Sequence, residues 1–148
     1  MDLMTQSMGT IKSALMALPQ FEPETLMYFH GGMLMREVWR PAGVMVVGRR
    51  HKKEHLYIIL EGWVAITDGH GAKAVEAGPG TVIKSMPGTE RAVVALTDAR
   101  CITIQRCDSL TLEDAEFELM EPDPDSLYTA DNKVKPGVLR HEAVEVLP

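Results

Sequence analysis

Two histidines four residues apart, His51 and His55, are the side chains of this chain best placed to do chemistry. They lie in the stretch GRRHKKEHLYIILEG, residues 48–62. If this stretch is extended, side chains alternate between its two faces, so Arg49, His51, Lys53 and His55 point to one face. Neutral imidazoles bind zinc, iron, nickel or manganese, but a usable site normally needs three protein ligands. The pair therefore predicts half of a metal site.

A third ligand has to come from elsewhere in the chain. Glu54 has the wrong strand parity, and Glu61 lies six residues beyond His55. His30, in YFHGGM, can enter from an N-terminal segment. One hypothesis is therefore a divalent transition metal bound by His51, His55 and His30. No P-loop, glycine-rich dinucleotide turn or Ser-His-Asp order points to another reaction class.

Short strands have to position these histidines. From Met33 onward, apolar segments are separated by Gly, Pro and Asp about every ten residues, which is typical of an all-β sandwich or barrel. The predicted strands are 33–39, 44–48, 55–60, 63–67, 73–77, 81–85, 91–96 and 101–105. Because tight turns connect them, an antiparallel barrel is favoured. Both faces of the strand at 55–60 are apolar, so its outer face needs a second sheet, a tail or a neighbouring subunit as cover.

A short helix is predicted on each side of the barrel. Residues 11–18 are helical in pattern and end before a proline. The segment 109–122 is predicted to form one helix, capped by Ser109 or Thr111 and rich in acids. Its apolar face, which should lie on the barrel, comprises Leu112, Ala115, Leu119 and Met120. The predicted organisation is an N-terminal arm (1–29), a barrel (30–107), a helix (108–121) and an extended tail (122–148).

Composition fits one globular domain, with 148 residues, 45% hydrophobic and 24% charged, and a net charge of −6. No signal peptide and no membrane span are expected. Cys101 and Cys107 are too few for a disulfide framework, so a reducing compartment is expected. The basic cluster within residues 49–53 is too small to predict a nucleic-acid site.

The spacing around the histidines resembles the first motif of the cupin superfamily. That motif runs Gly, five residues, His-x-His, three or four residues, Glu, six residues, Gly. Gly43, Arg49, His51, His55 and Gly62 occupy these positions. The resemblance implies that Arg49 stands at the first metal-ligand position and His55 at the position of the glutamate.

A second stretch resembles the second cupin motif, which runs Gly, five residues, Pro-x-Gly, two residues, His, three residues, Asn. The matching frame is Gly80, five residues, Met86-Pro87-Gly88, two residues, Arg91, three residues, Ala95. Arg91 therefore stands at the fourth ligand position. The two motifs together imply a cupin-type antiparallel β-barrel, or jelly roll.

A longer stretch is similar to small cupin-like proteins of tailed bacteriophages and prophages. It comprises GGMLMREVWRPAGVMVVGRRHKKEHLYIILEG and PGTERAVVALTD. That group often has His-x-His-Glu-His where this chain has HKKEH, so Lys53 replaces a histidine. The resemblance implies a phage origin and says little about chemistry.

The cations at the motif positions leave three interpretations open. Arg49, Lys53 and Arg91 oppose a divalent metal electrostatically. They suit an anion instead, since the arginine fork matches a carboxylate or a phosphate. In the third interpretation these positions hold hydrogen-bonded structural residues, and Arg91 pairs with an acid such as Glu37.

The favoured hypothesis is a non-catalytic cupin-like protein without a cofactor, acting as a homo-oligomeric structural or assembly component of a phage particle. Its expected partners are copies of itself and other phage structural proteins, with no membrane and no specific nucleic acid. Its expected location is the virion or the host cytoplasm. The alternative is a metal- or anion-binding enzyme or binder centred on His51, His55, Arg49 and Arg91.

Overall fold

The computed structural model describes residues 7–67 and 74–140. Within these ranges the helices are α1 (Met8–Met16) and α2 (Leu112–Leu119). The strands are β1 (Glu24–His30), β2 (Met33–Arg40), β3 (Met45–Val47), β4 (His55–Glu61), β5 (Val64–Thr67), β6 (Ala74–Ala77), β7 (Val82–Ser85), β8 (Ala92–Ala95) and β9 (Ala99–Arg106). No helix of this part of the chain is long and apolar enough to cross a bilayer.

The strands form two antiparallel sheets, one with the order β1-β2-β9-β4-β7 and the other with the order β3-β8-β5-β6. The chain passes repeatedly from one sheet to the other, which produces a jelly-roll barrel. Side chains from both sheets fill its closed end, including Ile59, Val64, Ile66 and Ala95, all almost fully buried. The predicted all-β antiparallel barrel with a helix on each side is confirmed.

Strand β1 is absent from the sequence prediction, which assigned its residues to an N-terminal arm. Nevertheless Glu24–His30 pairs along its whole length with β2 and forms an edge of the larger sheet. The connecting residues are Gly31 and Gly32, and both have positive φ angles, 59° and 73°. Two consecutive residues in this conformation form the type I′ turn that suits a two-residue hairpin. The GG pair is therefore a hairpin signal.

Both helices lie on the barrel through apolar side chains. In α1, which begins three residues earlier than predicted, Ser7 accepts a hydrogen bond from the backbone N–H of Thr10 and Ile11 is fully buried. In α2, Thr111 is the N-cap, and Ala115 and Leu119 are buried. They pack with Leu34, Cys107 and Met120. The predicted apolar face of the second helix therefore does lie on the barrel.

The residues after α2, 121–140, run across the open end of the barrel, and we call them the strap. The Tyr128 hydroxyl donates to the Phe21 carbonyl at 2.7 Å, and the Asn132 amide donates to the Thr25 hydroxyl at 2.9 Å. The backbone N–H of Val134 donates to a Glu22 carboxylate oxygen at 2.8 Å. The first part of the predicted tail therefore binds the chain's own N-terminal segment, and residues 141–148 lie outside the described part.

Two turn glycines share a left-handed backbone conformation but have different surroundings. The φ angles are 77° at Gly62 and 87° at Gly80. A Cβ atom on Gly62 would lie 2.0 Å from the Asp98 carbonyl oxygen, whereas one on Gly80 would meet nothing within 4 Å. Gly62 is thus required by both conformation and space, and Gly80 by conformation alone.

Replacing these glycines by alanine should separate the two effects. Gly80→Ala is expected to lower the free energy of unfolding by about 1–2 kcal/mol, the cost of the left-handed conformation. Gly62→Ala is expected to cost about 1–3 kcal/mol more, because the 97–99 turn has to move. Urea denaturation followed by circular dichroism measures both. Equal losses for the two variants would contradict this account.

Candidate functional site

The inner face of the larger sheet carries a group of polar side chains in register. Arg36 pairs with Thr103, and Thr103 pairs with Tyr57 on the next strand. His55 begins β4, beside Ser85 of β7. Because side chains alternate along each strand, these four side chains point toward the second sheet. Arg36, Thr103, Tyr57 and His55 all line a cavity there.

This cavity has a volume of about 230 Å³ and lies between the two sheets. Val47 and Val93 line it from the smaller sheet. Helix α1 contributes Lys12 and Leu15, and the strap contributes residues 123 and 125–130 together with Asn132. The open end of the barrel is therefore covered by segments from both ends of the described chain.

His51 and His55 form a stacked pair at the cavity wall. Their ring centroids are 3.9 Å apart and their planes differ by 25°. The His51 Nδ1 donates to the Gln105 amide oxygen at 3.1 Å, and the His55 Nδ1 donates to the Lys53 carbonyl at 3.4 Å. Since Nδ1 carries the proton in each ring, each Nε2 has a free lone pair.

Burial keeps both imidazoles neutral at physiological pH. It lowers the pKa of His51 to about 3, and the neighbouring His55, Arg36 and Arg49 act in the same direction. Burial also lowers the pKa of His55, and Arg91 reinforces that shift. The pair therefore offers hydrogen-bonding groups and adds no charge to the cavity.

The predicted third metal ligand is not brought to this pair. His30 is exposed at the end of β1, where it pairs with Met33 of the hairpin, and it does not line the cavity. In residues 7–67 and 74–140, no group of three or more His, Cys, Asp and Glu side chains is arranged to hold a metal ion. Arg36, Arg49 and Arg91 line the same cavity. This donor set does not fit a divalent metal.

Arg49, at the first ligand position of the cupin motif, is committed to the C-terminal helix. One terminal nitrogen donates to a Glu116 carboxylate oxygen at 2.7 Å, and the other donates to the Glu121 carbonyl at 2.7 Å. The guanidinium lines the cavity, but its terminal donors point to α2 and the strap. Arg49 thus connects the barrel to α2 and to the strap through charge-assisted hydrogen bonds.

Lys53 does not line the cavity, in contrast to the prediction from strand parity. It donates to a Glu118 carboxylate oxygen at 2.7 Å. Lys53 and the Ser109 hydroxyl lower the pKa of Glu118 to about 2. The prediction assumed an extended strand from residue 49, whereas β4 begins at His55 and residues 48–54 form a loop with a single bridge at His51.

Arg91 lines the cavity from the turn before β8. It donates to the Thr67 carbonyl at 2.7 Å and to the Ser85 hydroxyl at 3.4 Å. Its expected pairing with Glu37 is wrong, because Glu37 lies on the outer face of the sheet and binds Arg100 at 2.7 Å. Arg91 therefore joins the two sheets at the cavity wall.

Two further cations of the cavity, Arg36 and Arg40, were missed by sequence reasoning. Arg40 donates to the Tyr57 hydroxyl at 3.2 Å. Arg36 is half-buried at the cavity wall. The signal was present in MLMREVWR, since both arginines share the strand parity of the buried Leu34 and Val38. A charged residue at an inward position of a strand is the exception that marks a site.

No family model and no curated protein matches the chain. Solved structures do match, and one is a cupin superfamily protein of Desulfitobacterium hafniense, with a TM-score of 0.51 and 15% identity over 62% of this chain and 83% of that one. The fold is that of the cupins. The fold predicted from the two motifs is thus confirmed, while the phage resemblance stays a prediction.

Other cupin-fold neighbours have varied names. KdgF from Halomonas sp. matches with a TM-score of 0.51 and 16% identity, over 60% of this chain and 84% of that one. Salicylate 1,2-dioxygenase from Pseudoaminobacter salicylatoxidans matches with a TM-score of 0.51 and 11% identity, over 56% of this chain and 24% of that one. At such identities the likeness concerns the fold alone, because one fold carries many functions.

The lowered pKa of His51 should make stability depend on pH. The unfolded chain takes up a proton near pH 6.5, whereas the folded chain does so only near pH 3. The stabilisation is therefore complete above about pH 6.5 and is lost as the pH falls, by up to about 1.4 kcal/mol per pH unit. Urea denaturation of the wild type and His51→Gln between pH 7 and 5 measures this. His51→Gln should flatten the slope, and His30→Gln, at an exposed position, is the control; identical slopes for all three proteins would contradict the prediction.

Proposed function

We propose that the protein is a binding protein of the cupin fold, whose ligand is a small molecule held in the barrel cavity. The observation that carries the proposal is the cavity itself, about 230 Å³ between the sheets, covered by α1 and by the strap. Its wall combines apolar side chains, such as Val47 and Val93, with many polar and charged ones. A concave site with both kinds of group can bury the apolar part of a small molecule and orient its polar part. A covered cavity of this kind supports binding more directly than any motif in the chain.

Binding is favoured over catalysis by the state of the histidines. A general base works best when its pKa is near the working pH, because it must take up and release a proton. His51, with a pKa of about 3, is a weak base at neutral pH. The described residues also lack a metal-binding group that could activate water or oxygen. We therefore propose a non-catalytic role that needs no resident metal.

A ligand screen with a cavity-filling variant tests this proposal. Small acids, bases and neutral compounds are added to the protein, and unfolding is followed by thermal shift. At a hundred times the Kd a ligand stabilises by about 2.7 kcal/mol. Thr103→Phe places a ring in the cavity and should abolish the shift, whereas Val75→Phe, at an exposed position of β6, should retain it. The proposal fails if no class of compound stabilises the protein, or if the shifts survive in Thr103→Phe.

A second candidate function, self-association, is supported by the outer face of the larger sheet. Tyr28, Met35, Ile104 and Leu56 form one row across four strands. Tyr28 is 48% exposed and Leu56 is 37% exposed. Contiguous exposed apolar surface of this kind is typical of protein interfaces. We propose a second copy of the chain as the cover of this face.

The charges on the outer face are compatible with such a contact. Arg100 binds Glu37 at 2.7 Å and Glu61 at 2.6 Å. Because these ions are paired within one chain, a second copy can cover them without leaving an isolated buried cation. A role of the oligomer in a phage particle stays a prediction from the sequence resemblance.

Light scattering on the eluate of a size-exclusion column tests self-association. The wild type is expected to have the mass of two or more chains. Leu56→Asp places a charge in the apolar row and should give single chains, while Leu110→Asp, 81% exposed and outside the sheet, should leave the mass unchanged. A single-chain mass for the wild type would refute self-association and would have no bearing on the proposal that the cavity binds a ligand.

A further inference from the structure

The cavity wall carries more positive than negative charge. Its cationic side chains are Lys12, Arg36, Arg40, Arg49 and Arg91. Its acidic side chains are Glu116, Asp123 and Asp125. The two histidines are neutral and add nothing to this balance, and of the cations Lys12 is paired with Glu90, which lies outside the lining. Field lines concentrate in such a recess, so the cavity attracts anions.

Several of these cations already have partners within the chain. The contacts of Arg49 and Arg91 described above occupy their terminal nitrogens. Lys12 lies 3.0 Å from a carboxylate oxygen of Glu90. Arg40 donates to the phenol of Tyr57. Their role in the fold is accounted for by these bonds.

Arg36 is different from these four cations. Among the described residues its guanidinium makes no hydrogen bond and no ion pair, although Arg36 lines the cavity from the middle of β2. Burial lowers the pKa of its guanidinium, and Arg49 lowers it further. Glu116 acts in the opposite direction, but that carboxylate is bonded to Arg49. A cation in such a position is costly unless a counter-ion reaches it.

The surroundings of Arg36 favour an organic anion over a hydrated inorganic one. Val38 follows it on the same face of β2 and is buried, and Val93 lines the cavity from the smaller sheet. Leu15 and Met45 complete an apolar part of the wall. A molecule with one charged end and a small apolar body fits both parts. Free phosphate would leave the apolar part without a partner.

We propose that the cavity binds the carboxylate of a small organic acid, through the guanidinium of Arg36, with the apolar body of the acid against Val38 and Val93. This inference rests on the proposed binding function and names its ligand class. The planar guanidinium offers two parallel N–H donors to the two carboxylate oxygens, which is the strongest hydrogen-bonded geometry that side chains provide for this group. Arg36 thereby gains the counter-ion that the described residues do not supply.

Calorimetric titration of the full chain with a matched series of probes tests the inference. The probes are monocarboxylates from acetate to benzoate, the neutral amide of each acid, and inorganic phosphate. The wild type is expected to bind at least one acid about tenfold or more tightly than its amide and than phosphate. Arg36→Met keeps most of the volume, removes the charge, and should lose that preference.

Two controls separate recognition from folding. Arg106→Met removes an exposed arginine at the end of β9 and should bind the acids like the wild type. Without ligand, Arg36→Met should melt at or above the wild-type temperature, because it removes a buried cation to which no described acid is bonded. A lower melting temperature for Arg36→Met with unchanged acid binding would show a structural role and overturn the inference.

The remaining outcomes are also decisive. Equal affinity for acids and amides, or tighter binding of phosphate than of any acid, would overturn the inference and leave the proposed cavity function intact. If no probe binds and no compound of the wider ligand screen stabilises the protein, both the carboxylate inference and the proposed binding function are refuted.

Discussion

The attachment of the C-terminal segment to the barrel depends on the pairing between residues 50–52 and the end of α2. The backbone N–H of Lys52 donates to the Leu119 carbonyl at 2.7 Å, and that of Glu121 donates to the Arg50 carbonyl at 2.9 Å. These two bonds flank the bridge of His51 to Met120 and act as a short sheet between a loop and a helix end. Because the strap begins directly after this contact, its course across the barrel opening starts from a fixed point.

The same contact explains what has become of the cupin motif positions. Arg49 and Lys53 form ion pairs with acids on α2, and the histidine between them is neutral and bonded to Gln105. Two cations close to His51 would weaken any metal bound to it, while their carboxylate partners lie on the helix and are already bonded. The charges of Arg49 and Lys53 therefore stabilise the attachment of α2. The side chains that remain available to a ligand in the cavity are neutral hydrogen-bonding groups and arginine.

Local pattern was sufficient to predict the architecture and insufficient to predict the site. The eight predicted strands exist because Gly and Pro separate them at short intervals, and strand β1 was missed because Pro19 and Pro23 resemble loop punctuation while the hairpin is made by Gly31 and Gly32. The partners of Arg49 and Lys53 lie 67 and 65 residues away in the chain. No local pattern identifies contacts at such separations, so the anion and structural interpretations could not be distinguished from sequence.

Arg36 is a second case in which local pattern predicts the position of a charge but not its partner. Alternation in MLMREVWR places it on the inward face with Leu34 and Val38, but alternation cannot show whether an acid faces it. The fold could have neutralised this cation with Glu116, yet that carboxylate is used to hold Arg49 and α2. Within residues 7–67 and 74–140, stabilising the barrel opening has thus left the Arg36 guanidinium at the cavity wall with no carboxylate bonded to it. Sequences generally satisfy buried charges, and the sites where they do not are the ones where a ligand can complete the structure.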